Sequence, residues 1–582
     1  MMPLFFYDKV SLMKLFYALC LGASLLLFLS PIIIGLIGVV VPAAGYFPAL
    51  GAQAVSLSAF SDFFAQKSAF HALWLSLFVG MTASLLSVIA CFSLMACGAQ
   101  AGFGRVVLKW HRRIMGPLIA LPHSTIAIAL LFLLAPSGWL VRLVSPELTG
   151  WVRPPAFGFV PDQTGWLLIV GLMMKEIPFL LFIALAQSQR LALAPLQNLG
   201  NSFGYAPVVT WFYLIWPQIY RQMRLPVLAV LAYSLSVVDM TLILGPGLPP
   251  PLAVLVLQGF YDADLSARLP ASAGAVLQIM VIIFAIGLWL IGERLCAFAM
   301  RFALAHGARL ALLPSVISAV FLGISGAFVF VILGLCAIGL WAFANRWPFS
   351  AKWPSDFGLR FWQTEAAFGT IAGDTIVIAL GASFFSAIIA AFWLEVLDAL
   401  KWHRKMVIHV MSGLLFIPLF VPQISLLFGL QVALSWSYLD GYLLTVIFVH
   451  CLYILPYVWL ILAPAYQGYE ARYHMMAQTM GYGMMRHFWQ VRLPILGHSF
   501  ASAIILGVAV SIALYLPTIF AGAGRVSTIT TEAVTLAASG ARGPSAQAAF
   551  MQMLLPLCAF AVIRLLLRLR YGRFSAMQAH HN

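Results

Sequence analysis

The sequence predicts an all-α polytopic membrane protein of about 12 transmembrane helices, arranged as two parallel six-helix repeats. Three observations predict it. The 582 residues are 63% hydrophobic and 8% charged, with a mean hydropathy of +1.00, whereas soluble domains carry about 25% charged residues. Twelve continuous apolar runs approach or exceed the roughly 20 residues that cross a hydrocarbon core. Glycines and prolines recur at a fixed offset of 277 residues. A barrel is disfavoured, because its strands are about 10 residues long and alternate strictly, and these runs are continuous.

The first run, 15–41, follows Lys9 and Lys14. It is too long for the core of a signal peptide and no convincing cleavage site follows, so it is expected to be the first membrane helix. The runs 70–97, 115–135, 165–187, 219–244 and 270–295 complete a first half, residues 1–300. A short basic linker leads to 317–344, 370–397, 408–434, 441–463, 498–521 and 546–567 in a second half, residues 301–582.

The formal charge of +15 is read as topology, not as nucleic-acid binding, and no nucleic-acid partner is expected. With the amino terminus inside, inner segments hold 22 of the 32 Lys and Arg residues and outer segments hold nine; Lys175 lies within a helix. The inner set includes Arg105, Lys109, Arg112 and Arg113, then Lys401, Arg404 and Lys405, then Arg564, Arg568, Arg570 and Arg573. Both termini are therefore expected on the cytoplasmic side, with the chain multi-pass in the lipid bilayer.

The repeat is ungapped from Gly204 to Gly247. Gly204/Gly481, Tyr205/Tyr482, Pro217/Pro494, Ser234/Ser511, Thr241/Thr518 and Gly245/Gly522 all match. These residues fix backbone shape, so their agreement is harder to dismiss than matching apolar letters. Upstream the offset drifts to about 300, with Pro122 facing Pro422, so the first half carries a longer outer loop after its third helix. Both halves run in one direction, as in a parallel repeat.

Two polar gaps carry the clearest pattern. One reads Met475-Met476-Ala477-Gln478-Thr479-Met480-Gly481, then nine residues, then Val491-Arg492-Leu493-Pro494. The other reads Asn198-Leu199-Gly200-Asn201-Ser202-Phe203-Gly204, nine residues, then Leu214-Ile215-Trp216-Pro217. The glycines permit a tight turn, and each proline can open the following helix, where a missing N–H costs little. A short helix, a turn and a long helix are expected against the inner face.

Ionisable residues inside the runs are Lys175, Glu176 and Asp239. A charge at the bilayer centre costs about 2.5–3.5 kcal/mol on insertion scales, so such groups are usually paired or functional. A structural Lys175–Asp239 pair is the plainer expectation, and a cation-attracting translocation path the functional one. The outer loops are aromatic, at Gly150-Trp151-Val152-Arg153-Pro154-Pro155 and Trp347-Pro348-Phe349. They read as an interfacial belt or as a docking face.

The sequence contains no G-x-x-x-x-G-K-[ST] phosphate loop, no serine elbow and no paired catalytic carboxylates, so no enzymatic activity is expected. Seven cysteines are scattered without C-x-x-C and read as small core hydrophobes. No metal site and no cofactor is expected.

The two polar gaps resemble the EAA loop of binding-protein-dependent ABC importer permeases, roughly E-A-A-x3-G-x9-I-x-L-P. The leading Glu is replaced by Asn198 and Met475, and Ala477 is retained where the first copy has Gly200. The segments Tyr515-Leu516-Pro517-Thr518, Gly522-Ala523-Gly524-Arg525 and Leu121-Pro122-His123 are similar to YnjC-type fused permeases of the MetI-like superfamily. That group resembles the thiamine and ferric-ion permeases of Gram-negative bacteria. The resemblance implies two fused permease halves, with coupling loops near 198–217 and 475–494. It implies a separate ATPase in two copies that contacts Asn198, Gly200, Gly204, Pro217, Met475, Ala477, Gly481, Leu493 and Pro494. It also implies a periplasmic binding protein that delivers a small solute, thiamine-like or ferric. The rival is an ATP-independent secondary transporter of the major-facilitator type. Its G-x-x-x-D-R-x-G-R-R motif would fall near Gly98–Arg105, where the Asp is missing.

Overall fold

The computed structural model describes residues 2–48, 51–100, 102–156, 160, 162–349, 351–364, 367–400 and 405–578. Lys401 and Arg404, counted above among the inner charges, lie outside the described residues.

Helices follow the apolar runs. They are α1 (Met2–Ala43), α2 (Ala69–Gly98), α3 (Phe103–Ala120), α4 (His123–Leu134), α5 (Trp166–Ser188), α6 (Leu193–Ser202), α7 (Trp216–Ser236), α8 (Asp239–Leu244) and α9 (Arg268–Ala305). Then come α10 (Leu313–Ala342), α11 (Ala367–Ala399), α12 (Lys405–Phe420), α13 (Gln423–Trp436), α14 (Leu443–Gln467) and α15 (Ala471–Thr479). The last are α16 (Leu493–Ala513), α17 (Leu516–Gly522), α18 (Ile529–Ala538) and α19 (Arg542–Gln578). A two-stranded antiparallel ribbon, β1 (Ala344–Arg346) with β2 (Asp356–Phe357), sits in one loop.

The structure is all-α and polytopic, as expected, with several of the expected runs interrupted. Among the described residues ten helices are long and apolar enough to cross a membrane, or eleven if α12 and α13 count as one span bent by 90°. Four expected runs are broken. The run 115–135 stops at Leu121 and restarts after Pro122, and 408–434 breaks before Pro422. A residue before proline is pushed out of the helical region, and proline has no N–H to continue the ladder. The run 219–244 stops at the extended Val237, and 498–521 stops at Leu514. The α7 run also carries Arg221 and Arg224 near its start, which lowers its hydropathy.

The packing repeats too. α2, α5 and α7 pack together, and so do α11, α14 and α16. The opening helix of each half leaves its own group: α1 packs on α13 and α9, and α10 packs on α4 and α19. Each opening helix therefore touches helices of both halves. Small residues make the crossings. A Cβ on Gly38 would lie 2.7 Å from the Gly429 Cα, and one on Gly334 would lie 2.6 Å from the Ala129 carbonyl oxygen. Without a hydrophobic drive between helices in lipid, such close approach is what holds them. Gly429→Leu would drive a side chain into the Gly35 carbonyl. It is expected to cost at least the ~1–3 kcal/mol of an overpacked core. Limited proteolysis of membrane vesicles checks this, with faster cleavage of the variant expected.

Buried side chains also tie the halves. Gln552 accepts from the Thr125 hydroxyl at 2.9 Å and donates to Ser124 at 2.7 Å and Thr530 at 2.9 Å. Ser425 donates to the Ala275 carbonyl at 2.9 Å. At the β-ribbon end, the Arg142 guanidinium lies 5.2 Å from the Trp341 ring and 5.1 Å from Trp347, and donates to the Trp347 and Pro348 carbonyls. Trp347 is 7% exposed. It therefore belongs to a cage around Arg142, and is neither a lipid-facing belt residue nor a free docking residue. Trp353 and Phe357 are the exposed aromatics of that loop.

Candidate functional site

The two polar gaps fold alike. α6 ends before Gly204, which has φ +75°, and α15 ends before Gly481, which also has φ +75°. L side chains rarely adopt that left-handed conformation. The turn closes identically: the Tyr205 N–H donates to the Gly200 carbonyl at 3.1 Å, and the Tyr482 N–H to the Ala477 carbonyl at 2.9 Å. A helical turn follows, then a five-residue wide turn, 211–215 or 488–492. Pro217 and Pro494 then stand in the first turn of α7 and α16.

Gly200 is buried, and any Cβ there would run into the Thr210 side chain. Ala477, its counterpart, is 3% exposed. Asn198, Gly204, Pro217, Met475 and Gly481 are exposed, and Leu493 and Pro494 are half-buried. Leu199 and Phe203 on one loop, and Met476 and Met480 on the other, face outward. Exposed apolar side chains at the same positions of two polar loops suit a protein partner.

The second loop is anchored by a network that its charge alone did not reveal. Arg492 is 3% exposed. Its guanidinium pairs with Glu395 at 2.8 Å and with Asp398, both from α11. It also lies over the rings of Tyr469 at 4.7 Å and Tyr466 at 5.2 Å. The Tyr466 hydroxyl donates to Glu395 at 3.2 Å. The first loop has Ile215 at the matching position. The spacing of Glu395 and Asp398 at the end of an apolar run was the available signal.

Lys175, Glu176 and Asp239 lie near one another and all are buried, but the expected Lys175–Asp239 ion pair does not form. The Lys175 ammonium donates to the carbonyls of Leu118 at 3.2 Å, Ile119 at 2.8 Å and Leu121. The cause is the break in α3: Pro122 has no N–H for the Leu118 carbonyl, and Lys175 replaces it. Glu176 lies 3.5 Å from the His123 ring. Asp239 opens α8, where the N–H groups of Asp239 and Met240, the Tyr233 hydroxyl and the His123 side chain are its neighbours. His123 and Tyr233 stack with centroids 4.5 Å apart. From the other half, Tyr457 lies in the field of Glu176, and Tyr515 in that of Asp239.

Sequence reading placed His123 and Tyr515 in the family-like segments but gave them no role in a site, and it missed Tyr233 and Tyr457. His123 had the further signal of following the Leu121-Pro122 break. The second half supplies no charges here. Leu516 occupies the position that matches Asp239, and His450 is held between Ser511 at 2.8 Å and Thr518 at 3.0 Å.

No family model matches this chain, and no solved structure matches it. The inner membrane ABC transporter permease protein YnjC of Escherichia coli (strain K12) is 30% identical over 462 residues, which cover 78% of this chain and 81% of that one. The chain belongs to the ABC transporter permeases. Family membership makes the permease a multi-pass inner-membrane transport subunit, and it speaks against the major-facilitator reading. Within the permease, each loop exposes apolar groups, and the charged cluster lies near tyrosines of the second half.

Proposed function

We propose that the chain is the translocation subunit of an ATP-driven importer, with residues 1–300 and 301–582 as two MetI-like permease halves. The loops near 198–217 and 475–494 face the cytoplasm with both termini, and each docks one copy of a separate ATPase. Asn198, Gly200, Gly204, Pro217, Met475, Ala477, Gly481, Leu493 and Pro494 shape those docking surfaces. The observation that carries this reading is the shared loop geometry, with Gly204 and Gly481 both at φ +75° and outward apolar side chains beside each. A periplasmic binding protein meets the opposite end, where Trp353 and Phe357 are exposed.

The cargo path passes Glu176 and Asp239, with Lys175 holding the wall. Carboxylates beside tyrosine faces suit an organic cation of the thiamine type. A ferric ion would favour three or more converging His, Cys, Asp or Glu side chains, and among the described residues none form such a group.

The test is copurification of the ATPase with Phe203→Glu and Met480→Glu permeases, together with Gly204→Asp and Gly481→Asp. Each is expected to remain in the membrane. The glutamate variants should weaken ATPase association about 30-fold, as loss of ~2 kcal/mol at an interface hot spot would. The second-loop changes should reduce uptake more than the first. Unchanged copurification and uptake in all four variants would overturn the proposal.

A further inference from the structure

A cavity of about 470 Å³ opens beside the first loop, between the end of α2, the start of α3 and α6. Arg105, Lys109 and Arg112 line it. Their spacing puts them on one face of α3. Among the described residues none of the three has a carboxylate partner. Three cations line one opening, and among the described residues no ion pair neutralises them. The amino-terminal end of α3 adds positive potential there.

The rest of α3 shows at what depth the cavity lies. Leu108, His111, Met115 and Leu118 form a buried face. Phe103 and Val106 are 66% and 64% exposed, and they form a third, apolar face beside the cationic one. A helix with adjoining exposed apolar and basic faces lies at the boundary between headgroups and acyl chains. The opening also reaches Leu193 and Gln197 of α6.

We propose that this cavity binds a phosphate group, supplied by an anionic phospholipid of the inner leaflet. The phosphate sits among Arg105, Lys109 and Arg112, and an acyl chain lies along Phe103 and Val106. The bound headgroup then buttresses α6 from beneath. The leaflet assignment rests on the orientation proposed above; the site itself does not require that an ATPase dock.

The experiment is native mass spectrometry of the purified permease with phosphatidylglycerol and phosphatidylcholine in competition. Wild type should retain phosphatidylglycerol in roughly tenfold or greater preference. The triple variant R105Q/K109Q/R112Q should lose that preference, and R105K/R112K should keep it, which separates charge from folding. A control pair, Arg294→Gln with Arg301→Gln, changes exposed arginines of α9 and should have no effect. An unchanged preference in the triple variant, or equal loss in the control pair, overturns the site. Displacement of the lipid by millimolar inorganic phosphate overturns the lipid source. The readout contains no ATPase, so failure of the docking proposal leaves it untouched.

Discussion

Lys175→Met is expected to remove most of the folded permease from the membrane. Lys175 is 8% exposed, and its ammonium serves the carbonyls of Leu118, Ile119 and Leu121, where α3 ends. Those carbonyls lack the usual helical donors because Pro122 ends the ladder. Methionine fills the space but donates nothing. Each buried acceptor left without a partner costs about 1–3 kcal/mol, and three approach the whole ~5–15 kcal/mol stability of a typical protein. Asp239→Asn removes a negative charge without touching those carbonyls. Adding it to Lys175→Met should therefore give no rescue, whereas an ion pair between the two would give one. Asp239→Asn alone should leave membrane levels near normal and lower uptake. Quantitative immunoblots with parallel uptake assays read both effects. Recovery of protein level in the double variant would refute the carbonyl role of Lys175.

The second large effect is expected at Arg492→Gln. The guanidinium joins the start of α16 to Glu395 and Asp398 of α11 and covers two tyrosine rings. Removing one member of a buried charge cluster costs about 3–5 kcal/mol, since the carboxylates stay behind unpaired. The loss is local to the second loop, because Ile215 stands at the matching position of the first. Amide exchange across 471–492 should speed up by roughly 150-fold, the factor for ~3 kcal/mol of local opening. Exchange across 193–215 should not change. Arg492→Lys should recover little, because an ammonium cannot fork to two carboxylates. Neutralising both partners with Glu395→Gln and Asp398→Asn should recover more. Equal exchange in wild type and Arg492→Gln would show that the network does not hold the loop.

The sequence by itself determined the membrane class, the polar loops and their turns. Hydropathy is a sum over neighbouring residues, and a glycine at φ +75° or a proline in a helix's first turn is a property of the local chain. Gly204, Gly481, Pro217 and Pro494 were therefore legible at their positions. Pro122 and Pro422 carried the helix breaks in plain view, but the apolar letters around them hid the interruption. Only the tertiary structure decided where α1 and α10 pack, which carbonyls Lys175 serves, and that Arg492 meets Glu395 and Asp398. An apolar helix reads the same on every side, so its letters do not name the helix it touches. A buried charge announces that it needs partners, but those partners are 57 residues away for Lys175 and Leu118, and 94 for Arg492 and Asp398. The path of the chain through space chooses among them.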